Sequence, residues 1–489
     1  MKVILPVAGK GERMRPYTNN LPKCLLPVGI FAIIAALLLL TLVACSNSEY
    51  VNDNVNFADE SAFDVRTIDK LDSSDKDTQE ESSNIKTYLP LDDTEYPYAG
   101  IPRIVIETEN HRAIKDRETE IPAKLQIWGE KAPESEIMDL TIRGRGNTSW
   151  TEMPKKSYKI EFIDKQAMLG MPKDRDWALI ANYADKTLIK NYLMYRLSRN
   201  LKAYYSPKCE FVELFLNSDY LGVYLLTETI KIGKNRINIP DAQSSYIVEF
   251  DTHFQDGEQI VYSNIISPTI PNEIGTPFRI HAPKNATNTD LEVVKQHISS
   301  FEVFLTTMED KANNNVGIWI DIDEYIKHYW VQEFSKNPDA CFSTSVFFSW
   351  NTTGLIKMGP IWDFDLSFGG HSNELPYKDY AHIKRITPEG WYIKYFYWNK
   401  YLFKDSMMSD KIKSFWGKNK NEFYNIIFAI DSTSSFLQNA ADNNFKRWNV
   451  LQSKNYRFHT KAFATYKDAI KETKEWVQQR LLWIDSQYL

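Results

Sequence analysis

The chain has 489 residues, 43% of them hydrophobic, with a formal net charge of −6. At roughly 100–200 residues per domain this length gives two to four units or one large two-lobed enzyme, and the mild acidity offers no basic face for a nucleic acid. An aromatic content of 13% argues against wholesale disorder, and four cysteines without a CxxC pair argue against a zinc site or a disulfide framework.

Val3 to Val7 reads as a short strand, followed by Gly9 and Gly11 in a loop and by Arg13 and Arg15. Glycines let a backbone approach a phosphate, and arginines neutralise it. With Pro16, Thr18, Pro22, Lys23, Leu25 and Pro27 in order, residues 1–29 resemble the opening of the sugar-phosphate nucleotidylyltransferases. The match ends at Gly29, and no βαβ alternation follows. A fragment of that size does not fold or catalyse alone, so nucleotidyltransfer is a remote alternative. Residues 30–44 form an unbroken apolar run, shorter than the ~20 residues of a comfortable spanning helix and of the length of a signal-peptide core. The run closes on Leu42-Val43-Ala44-Cys45, which resembles a bacterial lipobox. That resemblance implies lipidation of Cys45 and a membrane-anchored protein of the bacterial cell envelope. It would face outside the cytoplasm, at the outer membrane or the cell surface.

Residues 46–97 are rich in Asp, Glu, Ser, Asn and Thr, and read as a disordered acidic tether. From residue 98 the pattern is that of a folded domain. Strands are expected at Arg103 to Glu107, Ala123 to Trp128, Met138 to Arg143 and Ser157 to Phe162 by β-branching and alternation. A helix follows at Thr187 to Leu201, then a hairpin of Phe211 to Leu216 and Tyr220 to Thr227, then a strand at Ser245 to Phe250. From Asp290 onward helices dominate: Ile322, Tyr325, Ile326, Tyr329, Trp330 and Phe334 keep helical spacing, and a final helix runs from about Phe463 to Gln487. Strands first and helices later give an α+β class, with a β-rich N-lobe over about 98–250 and a mainly helical C-lobe over about 251–489.

Three clusters carry chemistry. Arg143-Gly144-Arg145-Gly146-Asn147 forms a basic, glycine-containing turn, and Lys155, Lys156 and Lys159 follow in the next strand. Backbone N–H groups and cationic heads there suit an anion. Asp339 ends the aromatic helix through Asn337-Pro338. Asp363 and Asp365 flank Phe364 beside Trp362, and two such carboxylates among apolar neighbours suit a divalent cation.

The segments RGRGNTSW, PKKSYKIEF, VELFLNSDYLGVYLLTETIK, FSKNPDA and GPIWDFDLSFGG stand in order, with Asn182, Asp185, Lys186, Lys190 and Asn191 between them. Together they resemble the CotH-type atypical kinases. The resemblance implies a two-lobed kinase-like fold and metal-dependent transfer of the ATP γ-phosphoryl to a Ser or Thr of a protein substrate, with Mg²⁺ or Mn²⁺ as cofactor. It implies that Lys156 or Lys159 holds the nucleotide phosphates; alternation favours Lys159, because it places Lys155, Ser157 and Lys159 on one face. Arg143, Arg145 and Asn147 would line the phosphate end. Glu228 would pair that lysine or bind metal, Asp339 would orient or deprotonate the acceptor hydroxyl, and Asp363 would bind metal with Asp365 assisting. Asp363 stands 24 residues after Asp339, a spacing similar to that of protein kinases. The body has no HRD triplet and no GxGxxG loop, and Ser343 or Ser345 stands where ordinary kinases use a metal-binding Asn. A second reading keeps the fold as a catalytically inactive surface lipoprotein, an adhesin or a glycan- or partner-binding module.

Overall fold

The computed structural model describes residues 88–239, 244–254, 259–266, 274–342, 344–370, 385–454 and 461–488. The leader, the apolar run, Cys45, most of the expected tether and Ser343 lie outside the described residues.

The first half is a closed barrel. Its strands are β1 (Arg103–Thr108), β2 (Ile121–Trp128), β3 (Met138–Arg145), β4 (Ser157–Gln166), β5 (Asp174–Ile180), β6 (Cys209–Leu216) and β7 (Asp219–Glu228). Their order is β1-β2-β3-β4-β5-β7-β6, and a parallel pairing of β1 with β6 closes the ring. Alternate residues turn inward, so Ile106, Leu125, Ile142, Phe162, Trp177 and Tyr224 share one interior cluster. A one-turn helix α1 (Thr148–Thr151) joins β3 to β4, and helix α2 (Lys190–Asn200) lies between β5 and β6.

The second half builds a five-stranded sheet, ordered β12-β11-β8-β10-β9, from β8 (Ser245–Phe250), β9 (Val261–Ile266), β10 (Gly275–Ala282), β11 (Val346–Asn351) and β12 (Lys357–Met358). This half also carries the helices α3 (Asn288–Thr307), α4 (Ile322–Ser335), α5 (Tyr397–Leu402), α6 (Ser406–Arg447) and α7 (Tyr466–Ser486). Their starts are legible locally: Thr287 and Asp290 form a capping box on α3, Thr465 and Asp468 one on α7, and Asp405 caps α6. No helix among the described residues is long and apolar enough to cross a membrane.

The α+β class holds, but the division of strands differs from the expectation. Strand β8 was expected in the β-rich N-lobe by its position in sequence; it pairs instead with β10 and β11. All six of its residues are buried, so it needs neighbours on both edges and cover on both faces. Four further strands thus fall in the half expected to be mainly helical. The folded body also starts earlier than the polar composition suggests. Leu89 is buried and its N–H donates to Gln126 Oε1 at 3.0 Å, and Tyr96 stacks on Tyr220 at 4.2 Å.

Helix α6 has 42 residues, ~63 Å at 1.5 Å per residue, and its last turn docks on the barrel. Asn444 Oδ1 accepts from the buried Lys155 Nζ at 2.9 Å and from Val223 N at 3.1 Å. Gly222 sits at that contact with φ +92°, and a Cβ there would stand 2.5 Å from Asn444 Oδ1. Gly222→Ala is therefore expected to destabilise by ~1–3 kcal/mol, read as a lower urea midpoint with an unchanged slope.

Candidate active site

Helix α4 ends at Lys336, whose φ of 45° turns the chain into Asn337-Pro338-Asp339. The β11–β12 hairpin then returns the chain to Trp362-Asp363-Phe364-Asp365. Two carboxylate clusters separated in sequence therefore meet. Burial and then the charge of Asp363 push Asp339 up to about 8. Burial, then Asp363 and Asp339, raise Asp365 well above the usual carboxylate range. Asp363 is left-handed at φ 64°, as are Phe342, Ser345 and Phe368 close by. Such strain persists where the surroundings over-determine it. Here Asn337 Nδ2 donates to Asp363 O at 2.9 Å, and Phe364 N donates to Asn191 Oδ1 at 2.8 Å.

Arg145 meets this cluster from the barrel. Its guanidinium lies over the Trp362 ring, 5.1 Å from the centroid, and both Asp363 and Glu249 act on it electrostatically. Among the described residues it has no hydrogen bond or ion pair. The other expected phosphate ligands are engaged elsewhere. Arg143 donates to Arg117 O and stands 3.6 Å from Glu120, and Asn147 Oδ1 accepts from Arg117 at 2.8 Å. Lys156 donates to Trp150 O and lies over that indole. Lys159 pairs across the strands with Arg143, so it shares the face of Arg143 and Arg145; Lys156 belongs to the other face. Lys159 is held at 2.9 Å by Glu161 and at 2.8 Å by Asp176. Burial pushes Asp176 up, but Lys159 and Lys231 hold it down to about 2.

Glu228 was expected to pair a lysine of β4 or to bind metal. It pairs Arg236 at 2.9 Å instead, and also accepts from Tyr205 at 3.1 Å and Lys208 N at 3.0 Å. Lys231 is nearer in the chain but pairs with Asp174 and Asp176, so the carboxylate goes to Arg236, which is buried beside it over Trp177.

Sequence reasoning missed Glu249, Asp251, His253, Arg279 and His281, all carried by β8, β10 and the turn after β8. His281 Nδ1 lies 2.8 Å and Arg279 Nη2 3.1 Å from Glu249 Oε2. Burial pushes Glu249 up; His281 and then Arg279 outweigh it and hold the carboxyl down to about 2. Asp251 stands 3.5 Å from Arg279 and 3.1 Å from His253, and His253 acts on Asp339. The signal that could have found them is a charge inside an apolar strand, Glu249 in SYIVEF. Because the folded value lies below the unfolded one, the stability this group contributes is present above about 4.5 and is lost as pH falls toward 2. Glu249→Gln should therefore be less stable than wild type at pH 6, and urea midpoints should show the gap narrowing as pH drops through that window.

A family model, CotH kinase protein, matches residues 142–484. The chain belongs to the CotH kinase family. The CotH match begins inside β3 and spans Arg143, Arg145, Glu249, Asp339, Asp363 and Asp365, whereas β1, β2, Arg117 and Glu120 lie before it. No curated protein matches the chain. Kinase-like families commonly use ATP with a divalent cation. No group of three or more His, Cys, Asp or Glu among the described residues forms a metal cage. Asp363 and Asp365 still fit one, because Mg²⁺ is typically held by one or two carboxylates with substrate phosphates completing its shell.

Proposed function

We propose that this CotH protein is an atypical, metal-dependent protein kinase. It transfers the ATP γ-phosphoryl to a Ser or Thr hydroxyl of an envelope or surface protein, and a lipid on Cys45 holds it at the membrane. The observation that carries the reading is one constellation: Asp339, Asp363 and Asp365 converge, and Arg145, with no ion-pair partner among the described residues, faces them from the barrel. The chain order supports it too. Helix, Asp339, hairpin and Asp363 follow each other as helix, base, hairpin and metal ligand do in protein kinases.

In this reaction the acceptor oxygen bonds to the γ-phosphorus, the bond to the β–γ bridging oxygen breaks, and ADP leaves. Asp339 takes the hydroxyl proton, and its place beside Asp363 puts a carboxylate at the phosphate end for that task. Arg145 binds the phosphate oxygens and stays oriented by stacking on Trp362. Asp363, with Asp365, would hold the cation, which supplies charge neutralisation at the phosphates. Phosphoryl transfer needs this positioning and neutralisation more than covalent help.

The full chain, incubated with Mg²⁺ or Mn²⁺, γ-labelled ATP and a Ser-rich acceptor protein, should transfer label. Arg145→Ala should raise the KM for ATP ~10–100-fold, the loss expected for a charge-assisted contact to phosphate. Absence of both label transfer and metal-dependent ATP binding by calorimetry would reject the kinase reading and leave a surface binding module. Mass spectrometry of the mature protein tests the anchor: an acylated Cys45 at the terminus is expected, and an intact Met1 would exclude it.

A further inference from the structure

Helix α2 opens with Lys190 and Asn191, both buried, and both side chains reach the loop that starts at Asp363. Lys190 Nζ donates to Ser367 O at 2.9 Å and to Asp365 O at 3.2 Å, and Asp185 Oδ1 stands 3.9 Å away. Asn191 Oδ1 accepts from Phe364 N, 173 positions later, while its Nδ2 donates to Asn182 Oδ1 at 3.0 Å. With Asn337 on Asp363 O, the main chain is gripped at residues 363, 364, 365 and 367. The grip is itself braced. Asp185 Oδ2 accepts from Lys190 N at 2.9 Å, and Asp185 Oδ1 accepts from Thr187 N at 2.8 Å. The space is full as well: a Cβ on Gly370 would stand 2.6 Å from Lys190 Nζ.

Two ionised carboxylates in this loop would repel each other, and a free loop would let them swing apart. A grip on the backbone between them prevents that without using their oxygens. We propose that Lys190 and Asn191 are positioning residues: they set the separation and direction of the Asp363 and Asp365 carboxylates, and so determine how tightly a divalent cation is held there. The inference rests on the kinase reading of the site. It adds that the first turn of α2 tunes the metal loop, and that a shift of α2 reaches the carboxylates directly.

The sign of one substitution separates positioning from simple charge. Lys190→Met deletes a positive charge beside two carboxylates, so a purely electrostatic role predicts tighter cation binding. Positioning predicts weaker binding. Mn²⁺ alone, titrated into the full chain without nucleotide and followed by electron paramagnetic resonance, reads this directly. The expected result is an Mn²⁺ affinity lower by about tenfold or more in Lys190→Met and in Asn191→Leu, with Lys190→Arg restored to within about threefold of wild type. Gly370→Ala crowds the ammonium while keeping its charge, and should weaken Mn²⁺ by about threefold even if the other variants fold poorly. Unchanged or tighter Mn²⁺ binding in cooperatively folding variants would overturn the proposal, as would a wild-type chain that binds no Mn²⁺. A wild type that binds Mn²⁺ but transfers no phosphoryl group would reject the kinase reading alone, and the affinity ratios would still decide the role of α2.

Discussion

Asp363→Ala is expected to reduce phosphoryl transfer by about 10³-fold or more while the protein stays folded. The residue is half-buried, left-handed and held through its carbonyl by Asn337, so its side chain is fixed where Arg145 and Asp365 face it. Its loss removes one of two carboxylates available to a cation, and it also removes one source of the upward push on Asp339. Stability should change little, because the charge removed is one that its neighbours Asp339 and Asp365 repel. Asp339→Asn should cost ~10²–10⁴-fold through loss of the base alone. The double variant should be little worse than the more damaging single one, because the two groups act on one transition state. Single-turnover transfer of labelled phosphoryl from bound ATP measures all three. An Asp363→Ala protein that retained a tenth of wild-type activity would remove Asp363 from the mechanism.

The largest loss of stability is expected from Arg480→Met. Arg480 Nη2 donates to Glu333 Oε1 at 2.6 Å, and both side chains are fully buried. The same guanidinium donates to Pro388 O at 2.9 Å, Gly390 O at 2.7 Å and Glu333 O at 2.8 Å. Trp476 Nε1 takes Ile386 O at 2.8 Å, and Lys336 Nζ takes Thr387 O at 2.9 Å and also Glu389 O. Every carbonyl from Ile386 to Gly390 is therefore held by the C-cap of α4 or by a side chain of α7. Breaking a buried pair from one side leaves an uncompensated charge and costs ~3–5 kcal/mol. Urea unfolding should show that loss in Arg480→Met, and the Glu333→Gln/Arg480→Met double variant should recover part of it. A loss below ~1 kcal/mol would show that water reaches Glu333. The clamp also matters for chemistry, since Lys336 stands three residues before Asp339.

Much of the architecture is legible in the linear pattern. Alternation located β1 to β4, the β6–β7 hairpin and β8 to within a few residues, and helical spacing located α2, α4 and α7. These signals are local: side chains repeat every 2.0 or 3.6 residues whatever surrounds them. The other four strands of the second sheet were missed for a physical reason. Strand β10 carries Pro277, Arg279 and His281, whose polarity reads as loop until Glu249 is placed opposite them. The motifs nominated Arg145, Asp339, Asp363 and Asp365, which the fold brings together. They equally nominated Arg143, Asn147, Lys156, Lys159 and Glu228, whose side chains the fold commits to other partners.

What the sequence by itself determined is the family, the strand-rich start and the residue types available for anion and cation chemistry. Only the tertiary structure decided that the first seven strands close on themselves, that Glu228 belongs to Arg236, and that Lys190 and Asn191 grip a loop 173 positions away. The reason is one of range. Propensity and capping act within a few residues. A buried charge instead takes whichever partner the packed chain brings within hydrogen-bonding distance, because leaving it alone in a low-dielectric interior costs more than any local preference supplies.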